Sequence, residues 1–141
     1  MRAIKRGIAS YGDVKVSTGV ATADNIQLIQ MLFDGLVESL RSAEGQIKRG
    51  AIDEKSRSLA RAGKIVLGLQ SALDFEQGGD IAKNLDELYG YVTRRLLHVN
   101  LHNDLEALAE ITGLMGEIRG AWSAVPGLLV NKQSESMRMA S

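Results

Sequence analysis

The sequence contains no cysteine, which removes a whole set of chemistries from consideration. Thiol nucleophiles, zinc–thiolate sites and disulfides all require cysteine. The chain also lacks an excess of charge of either sign, because 17 Lys and Arg are balanced by 17 Asp and Glu. General nucleic-acid binders usually carry a strong basic excess, so this balance argues against that class.

Long apolar runs are also missing from the sequence. No window approaches the roughly 18 uninterrupted apolar residues expected of a membrane-spanning helix. The N-terminal stretch "MRAIKRGIAS" is charged, but no apolar run of signal-peptide length follows it. We therefore expect a cytoplasmic protein, and a length of 141 residues suits a single domain.

Apolar residues recur every three or four positions over most of the chain, and proline occurs only once, at Pro126. This spacing predicts helices rather than strands. The expected helices cover about residues 24–49, 53–73, 80–101 and 104–125. Gly50 and the pair Gly78-Gly79 are predicted turns, and Asp24 is the predicted N-cap of the first helix. Asn103 or Asp104 is the predicted N-cap of the fourth.

Four such helices joined by short connections predict an all-α fold, namely an antiparallel up-down four-helix bundle. The bundle is expected over residues 24–125. Residues 1–23 lack sustained periodicity and are predicted to form a short N-terminal segment that packs on the bundle. The polar residues 126–141 are predicted to be a flexible, disordered tail.

Catalytic and metal-binding patterns are scarce in this chain. His98 and His102 are four residues apart, which places two imidazoles on one helical face, but "HVNLH" lacks the glutamate of a metalloprotease helix. The Glu-x-x-His pattern of di-iron bundles, phosphate loops and nucleophile elbows are also missing. We expect no enzymatic activity, no cofactor and no metal. A metal-binding bundle that uses His98 and His102 is the alternative.

The stretch "NLDELYGYVTRRL", residues 84–96, combines an apolar helical face with two tyrosines and two adjacent arginines. Tyr89 is expected to pack in the core. Tyr91 and the pair Arg94-Arg95 are expected to fix the geometry between helices or to border a partner groove. One arginine is expected to be solvated and the other to pair with a carboxylate across the bundle. The candidate carboxylates are Asp34, Asp74 and Asp86.

Several short segments of the sequence resemble segments typical of the flagellar secretion chaperone FliS family. They are "LIQMLFDG" at 28–35, "SALDFEQGGDIAKNL" at 71–85, "LYGYVTRRL" at 88–96, "NLHND" at 100–104 and "EIRGAW" at 117–122. Their order and spacing over about residues 8–124 are similar to the family pattern. One departure is "TADN" at 22–25, where the family often has a proline-containing "TASP"-like stretch.

The resemblance implies a four-helix bundle that binds the disordered C-terminal region of newly made flagellin. Binding would prevent premature polymerisation and support export by the flagellar type III apparatus, with components of that apparatus as further partners. The resemblance also implies that the N-terminal segment lies over the bundle and gives way to flagellin. The alternative is a non-enzymatic helical adaptor for another protein.

A chaperone of this kind needs apolar side chains outside the main core stripes. The candidate partner-binding residues are Ile8, Tyr11, Val14, Ile26, Phe33, Val37, Ile65, Leu97 and Leu114. Eight glycines also fall inside the predicted helices, which indicates either close helix approach or shallow ligand grooves. They are Gly35, Gly45, Gly63, Gly68, Gly90, Gly113, Gly116 and Gly120.

Overall fold

The computed structural model describes residues 23–124, which form four α-helices. The helices are α1 (Ala23–Arg49), α2 (Ile52–Ser71), α3 (Phe75–His102) and α4 (Leu105–Ala124). Helices α1 and α3 each pack on both α2 and α4, and the connections between successive helices are only two or three residues long. The predicted all-α, antiparallel four-helix bundle is therefore confirmed. The described part of the chain contains no strand.

The first connection depends on a glycine, as the sequence predicts. Gly50 has a φ of 72°, in the left-handed region that side chains other than glycine rarely adopt. The backbone N–H of Ala51 then donates to the carbonyl of Gln46 over 2.8 Å, which closes the end of α1. Lys48 and Arg49 occupy the last turn, where positive charge complements the helix dipole.

The third helix begins five residues earlier than predicted, at Phe75 rather than near Asp80. Asp74 caps it by accepting a hydrogen bond of 3.0 Å from the backbone N–H of Gln77. Gly78 donates its N–H to the Asp74 carbonyl and so belongs to the first helical turn. Only Gly79 leaves the helical conformation, with φ 51° and ψ −125°. The predicted turn is thus a kink inside α3.

The core contains the apolar stripes of all four helices, with Phe33, Leu36, Tyr89, Met115 and Trp122 among its members. On α1 and α2 the buried face is wider than the stripes that the sequence predicts. Phe33 and Ile65, expected outside those stripes, belong to the core cluster. The reason is that each of these helices packs on two neighbours and therefore buries a broad face.

The glycines inside the helices do not all have the same surroundings. At Gly35 a Cβ would lie 3.3 Å from the Arg61 guanidinium and 3.5 Å from Ile65, so this glycine permits close approach of α2. At Gly63, Gly113, Gly116 and Gly120 a Cβ would meet nothing within 4 Å. Close packing therefore explains Gly35 but does not explain these four glycines.

The predicted N-terminal segment, except Ala23, and the predicted tail lie outside the described residues. The same is true of Ile8, Tyr11 and Val14, whose role remains a prediction. Within residues 23–124, no helix is both long enough and apolar enough to cross a membrane.

Candidate partner-binding surface

The α3–α4 interface carries a row of polar contacts along its outer edge. The Tyr91 hydroxyl donates a hydrogen bond of 2.7 Å to Glu110 Oε1, and Arg95 Nε lies 3.7 Å from the same oxygen. The hydrogen bond to Glu110 raises the pKa of Tyr91 above its ordinary value. Tyr91 and Arg95 on α3 are thus tied to α4, as expected of residues that fix helix geometry.

The two adjacent arginines have different environments. Arg94 is exposed, whereas Arg95 is partly buried and forms the ion pair with Glu110. The expected division into one solvated and one paired arginine is therefore confirmed, but the partner is not one of the three predicted carboxylates. Those three have other roles. Asp34 pairs with Arg119, Asp74 caps α3, and Asp86 accepts a hydrogen bond from Gln70.

Buried Tyr89 contacts the core instead of this polar row. Burial raises its pKa well above the ordinary tyrosine value, and the neighbouring Trp122 side chain offsets part of the shift. A phenol with a pKa raised in this way stays protonated near neutral pH. The expectation that Tyr89 packs in the core is confirmed.

The connection between α3 and α4 is held by residues of two helices. Asp104 caps α4 by accepting a hydrogen bond of 3.1 Å from the backbone N–H of Ala107, and its other oxygen lies 2.9 Å from His98 Nε2. The bond from Ala107, followed by the contact with His98, lowers the pKa of Asp104. Asn103 instead ends α3 in the left-handed conformation, with φ 53°.

Lys55 of α2 completes this connection and was not foreseen from the sequence. Its side chain is only 5% exposed, and its ammonium group donates to the Asn100 carbonyl over 2.8 Å and to Asn103 Oδ1 over 2.7 Å. A cation at the C-terminal end of α3 also complements the helix dipole. Lysine is usually solvated, so no pattern in the sequence marks this residue as buried.

The histidine pair does not form a metal centre by itself. The rings of His98 and His102 are 4.7 Å apart, and His98 Nε2 is engaged with Asp104. Among residues 23–124, no group of three or more His, Cys, Asp or Glu side chains is placed to hold a metal ion. The geometry therefore favours the histidines as part of the α3–α4 connection.

Large apolar side chains are exposed near this same connection. Leu97 and Leu101, one turn apart on the outer face of α3, are 63% and 78% exposed. Ile52 at the start of α2 and Leu105 at the start of α4 are exposed as well. Lys55 joins the first turn of α2 to the last turn of α3, so these four residues share one end of the bundle. We call them the leucine patch.

The predicted partner-binding residues differ in how much surface they keep. Among those that the structure describes, Leu97 is the most exposed, and Ile26 and Leu114 are partly buried. Val37 and Ile65 are buried, and Phe33 has no exposed surface. Phe33 belongs to the core cluster and offers no surface to a partner in this structure, and the partner-binding roles of the other residues stay predictions.

Sequence reasoning missed three members of the leucine patch: Ile52, Leu101 and Leu105. The exposure of Leu101 could have been predicted from its spacing, because it lies four residues after Leu97 and therefore on the same helical face. No equivalent signal exists for Ile52, because its exposure follows from its place at the first residue of α2.

A concave surface lies between α1 and α4, with a volume of about 460 Å³. Val37 is one of its lining residues, but the others are polar or charged: Asp34, Glu38, Arg41, Ser42 and Arg119. Arg119 Nε donates to Asp34 Oδ1 over 2.6 Å across this groove. The lining does not suit the apolar face of a partner helix.

Comparison with known protein families identifies the family to which this chain belongs. The model of the family "Flagellar protein FliS" matches residues 7–127. The chain belongs to the FliS family. The match includes all four helices and the whole leucine patch, so the surfaces described above are those of a FliS-family bundle.

Curated FliS relatives from distant bacteria align over most of the chain. The flagellar secretion chaperone FliS of Salmonella typhimurium is 43% identical over 84% of this chain and 89% of its own length. FliSB of Pseudomonas aeruginosa is 38% identical over 89% of this chain and 96% of its own length. FliS of Bacillus subtilis is 30% identical over 73% of this chain and 76% of its own length. The family resemblance in the sequence is confirmed.

Proposed function

We propose that this protein is a cytoplasmic export chaperone for flagellin. It binds the disordered C-terminal region of newly made flagellin, prevents premature polymerisation and supports export by the flagellar type III secretion apparatus. Membership of the FliS family and relatives named flagellar secretion chaperones support the chaperone role. Components of the export apparatus are proposed as additional partners, because a chaperone must release its cargo there.

The observation that carries this proposal is the exposed leucine pair on α3. Leu97 and Leu101 lie one turn apart and give the outer face of α3 an apolar stripe in water. Burial of apolar surface drives association, and an amphipathic helix can lay its own apolar face on such a stripe. A disordered ligand that folds on binding can cover a large surface at low affinity per unit area.

Other candidate residues extend the proposed surface beyond the leucine patch. Ile26 and Leu114 keep part of their surface exposed on α1 and α4. Ile8, Tyr11 and Val14 of the N-terminal segment are proposed to cover part of the binding surface in the free protein. Flagellin must then displace them, which lowers its apparent affinity by the fraction of time that the surface is covered.

The proposal is tested by calorimetric titration of the full chain with a peptide from the C-terminal region of a flagellin. We expect saturable binding, a gain of helical circular dichroism, and slower flagellin polymerisation in the presence of the chaperone. A flagellin peptide from outside the terminal regions is the control. If the C-terminal peptide binds no better than this control, the flagellin assignment is wrong and the adaptor alternative gains support.

Deletion of residues 1–16 separates the covering role from a direct binding role. We expect the truncated protein to bind the flagellin peptide more tightly, or equally well, and to be less soluble. The melting transition of the truncated protein serves as the control for folding. A large loss of affinity with the bundle still folded would make the segment part of the binding site.

A further inference from the structure

We propose that the outer face of α2 is a docking surface for an acidic helical segment of another protein. Arg57, Arg61 and Lys64 are exposed and are spaced so that they lie along one side of α2. In the part of the chain that the structure describes, none of the three forms an ion pair with a carboxylate. We call these residues the α2 basic stripe.

Arg61, the central residue of the stripe, is already positioned by a hydrogen bond in the free protein. Arg61 Nη1 donates a hydrogen bond of 2.9 Å to the hydroxyl of Ser39, which is buried on α1. Gly35 makes room for the guanidinium, since a Cβ there would lie 3.3 Å from Arg61 Nη2. The Arg61 guanidinium therefore lies across α1 and keeps further N–H donors for a carboxylate.

The space between the cations is also suited to close approach. Ala60 lies three residues after Arg57 and four before Lys64, so it falls on the same side of α2, and it is exposed. Its single methyl group lets a partner backbone come near the charged side chains. The stripe spans eight residues, and its first and last members lie about 10 Å apart along the helix axis, which matches two turns of a partner helix.

The distribution of charge along the chain indicates what occupies the stripe. Residues 23–124 carry 11 of the 17 Lys and Arg and 15 of the 17 Asp and Glu, a net charge of −4. Residues 1–22 carry a net charge of +3, and residues 125–141 carry +1. Both terminal segments are basic and would be repelled by the stripe. Neither segment has the charge of an acidic occupant, and we therefore assign the stripe to an acidic segment of another protein.

The same charge distribution favours a protein segment over an extended polyanion. Nucleic-acid binders typically neutralise about 6–10 phosphates, whereas the stripe offers three cations on an otherwise anionic bundle. An anionic bilayer would likewise face the negative remainder of the bundle. A short acidic helix with carboxylates on one face can contact the stripe without approaching the acidic surfaces.

The probe for this proposal is a labelled, alanine-rich helical peptide with three glutamates at i, i+4 and i+7. Its control is an isomer of equal composition with the glutamates spread around the helix. At about 50 mM salt we expect the full-length protein to bind the patterned peptide about tenfold more tightly, by fluorescence anisotropy. This preference should largely disappear at about 500 mM salt, because exposed charges are then screened. Equal binding of the two peptides at low salt would overturn the proposal.

Matched variants locate the effect on the molecule. The double variant Arg57→Glu/Lys64→Glu leaves the Arg61–Ser39 hydrogen bond intact and should lose the preference for the patterned peptide. Lys83→Glu/Arg94→Glu reverses two exposed cations of α3 and should keep it. Both variants should melt as the parent protein does. If both double variants lost the preference for the patterned peptide equally, the effect would come from overall charge, and the stripe would not be the docking surface.

Competing occupants are distinguished by three further measurements on the parent and the stripe variant. The probes are a DNA duplex, vesicles of phosphatidylglycerol and phosphatidylcholine, and the protein itself in analytical ultracentrifugation. We expect no stripe-dependent binding in any of the three. Stripe-dependent binding to DNA or vesicles that exceeds peptide binding would overturn the choice of a protein segment. Salt-sensitive self-association lost in the stripe variant would assign the surface to a second copy.

Discussion

The two hairpins of the bundle are held together in different ways. In the α1–α2 hairpin the helices make the most extensive contact in the bundle, and the polar links include Ser39 with Arg61 and Gln46 with Ser58. The α1–α2 hairpin is therefore held mainly by broad contact between its helices, to which these hydrogen bonds and the exposed Arg49–Glu54 ion pair are added.

The α3–α4 hairpin has the least extensive contact between neighbouring helices and relies on titratable pairs. Glu110 binds Tyr91 and Arg95, and Asp104 binds His98. Its outer face also exposes Leu97 and Leu101. The comparison shows that the α3–α4 hairpin exposes two large apolar side chains one turn apart on one helix, whereas the exposed Met31 and Ile52 of the α1–α2 hairpin lie on different helices. We expect partner binding at the second hairpin.

The largest effect on stability is expected from the substitution Trp122→Ala on α4. Trp122 is only 7% exposed and belongs to the core cluster, so its loss should lower the free energy of unfolding by about 3–5 kcal/mol. Chemical denaturation of the variant and the parent measures this difference. A loss below about 1 kcal/mol would mean that the α3–α4 hairpin contributes little to the core even at its buried aromatic residue.

A smaller effect is expected from Lys55→Met, which cuts the link between the two hairpins. The variant leaves the Asn100 carbonyl and Asn103 Oδ1 without their donor, and should lower the free energy of unfolding by about 1–3 kcal/mol. Lys64→Met on the exposed side of α2 is the matched control and should change it by less than about 0.5 kcal/mol. Equal effects would show that the hydrogen bonds of Lys55 do not stabilise the connection.

The smallest effect concerns pH and should be stronger in the α3–α4 hairpin than in the α1–α2 hairpin. The pKa of Asp104 is lowered below its ordinary 3.8 in the folded state. Its contribution to stability is therefore complete well above pH 3.8 and is lost as the pH falls through the folded-state value. Hydrogen exchange at the first turn of α4 should accelerate over that acidic range, while exchange in α1 changes less.

Asp104→Asn provides the control for this pH effect. Asparagine still caps a helix, but it cannot carry the charge that faces His98. Exchange at the first turn of α4 should then become nearly independent of pH below 4, after correction for intrinsic rates. A parent protein whose α1 and α4 lose protection together in acid would show that the two hairpins do not differ in this respect.

Most of the fold could be predicted from the sequence, because it depends on local patterns. The three-to-four spacing of apolar residues indicates the helices, and Gly50 and Asp104 mark two boundaries through backbone conformation and capping. The start of α3 was missed because two adjacent glycines look alike in sequence, whereas only Gly79 adopts the non-helical conformation.

The candidate site was harder to predict, because exposure depends on neighbouring helices. Leu97 was identified correctly as an off-stripe residue, and the structure places it on the surface. Phe33 satisfied the same criterion and is buried, since α1 packs on both α2 and α4. Lys55 shows the opposite error, because a charged residue is expected to be exposed and this one is buried. Its burial depends on the acceptors that α3 and its C-terminal end supply, which the local sequence does not indicate.

The most direct test of the account is the affinity of the C-terminal flagellin peptide for Leu97→Ala/Leu101→Ala. The double variant should weaken binding by at least about tenfold and change the free energy of unfolding by less than about 1 kcal/mol, because both side chains are exposed. Met31→Ala removes a side chain that is 67% exposed on α1 and should leave binding unchanged. Unchanged binding in the double variant, or equal losses in both variants, would contradict the assignment of partner binding to the α3–α4 hairpin.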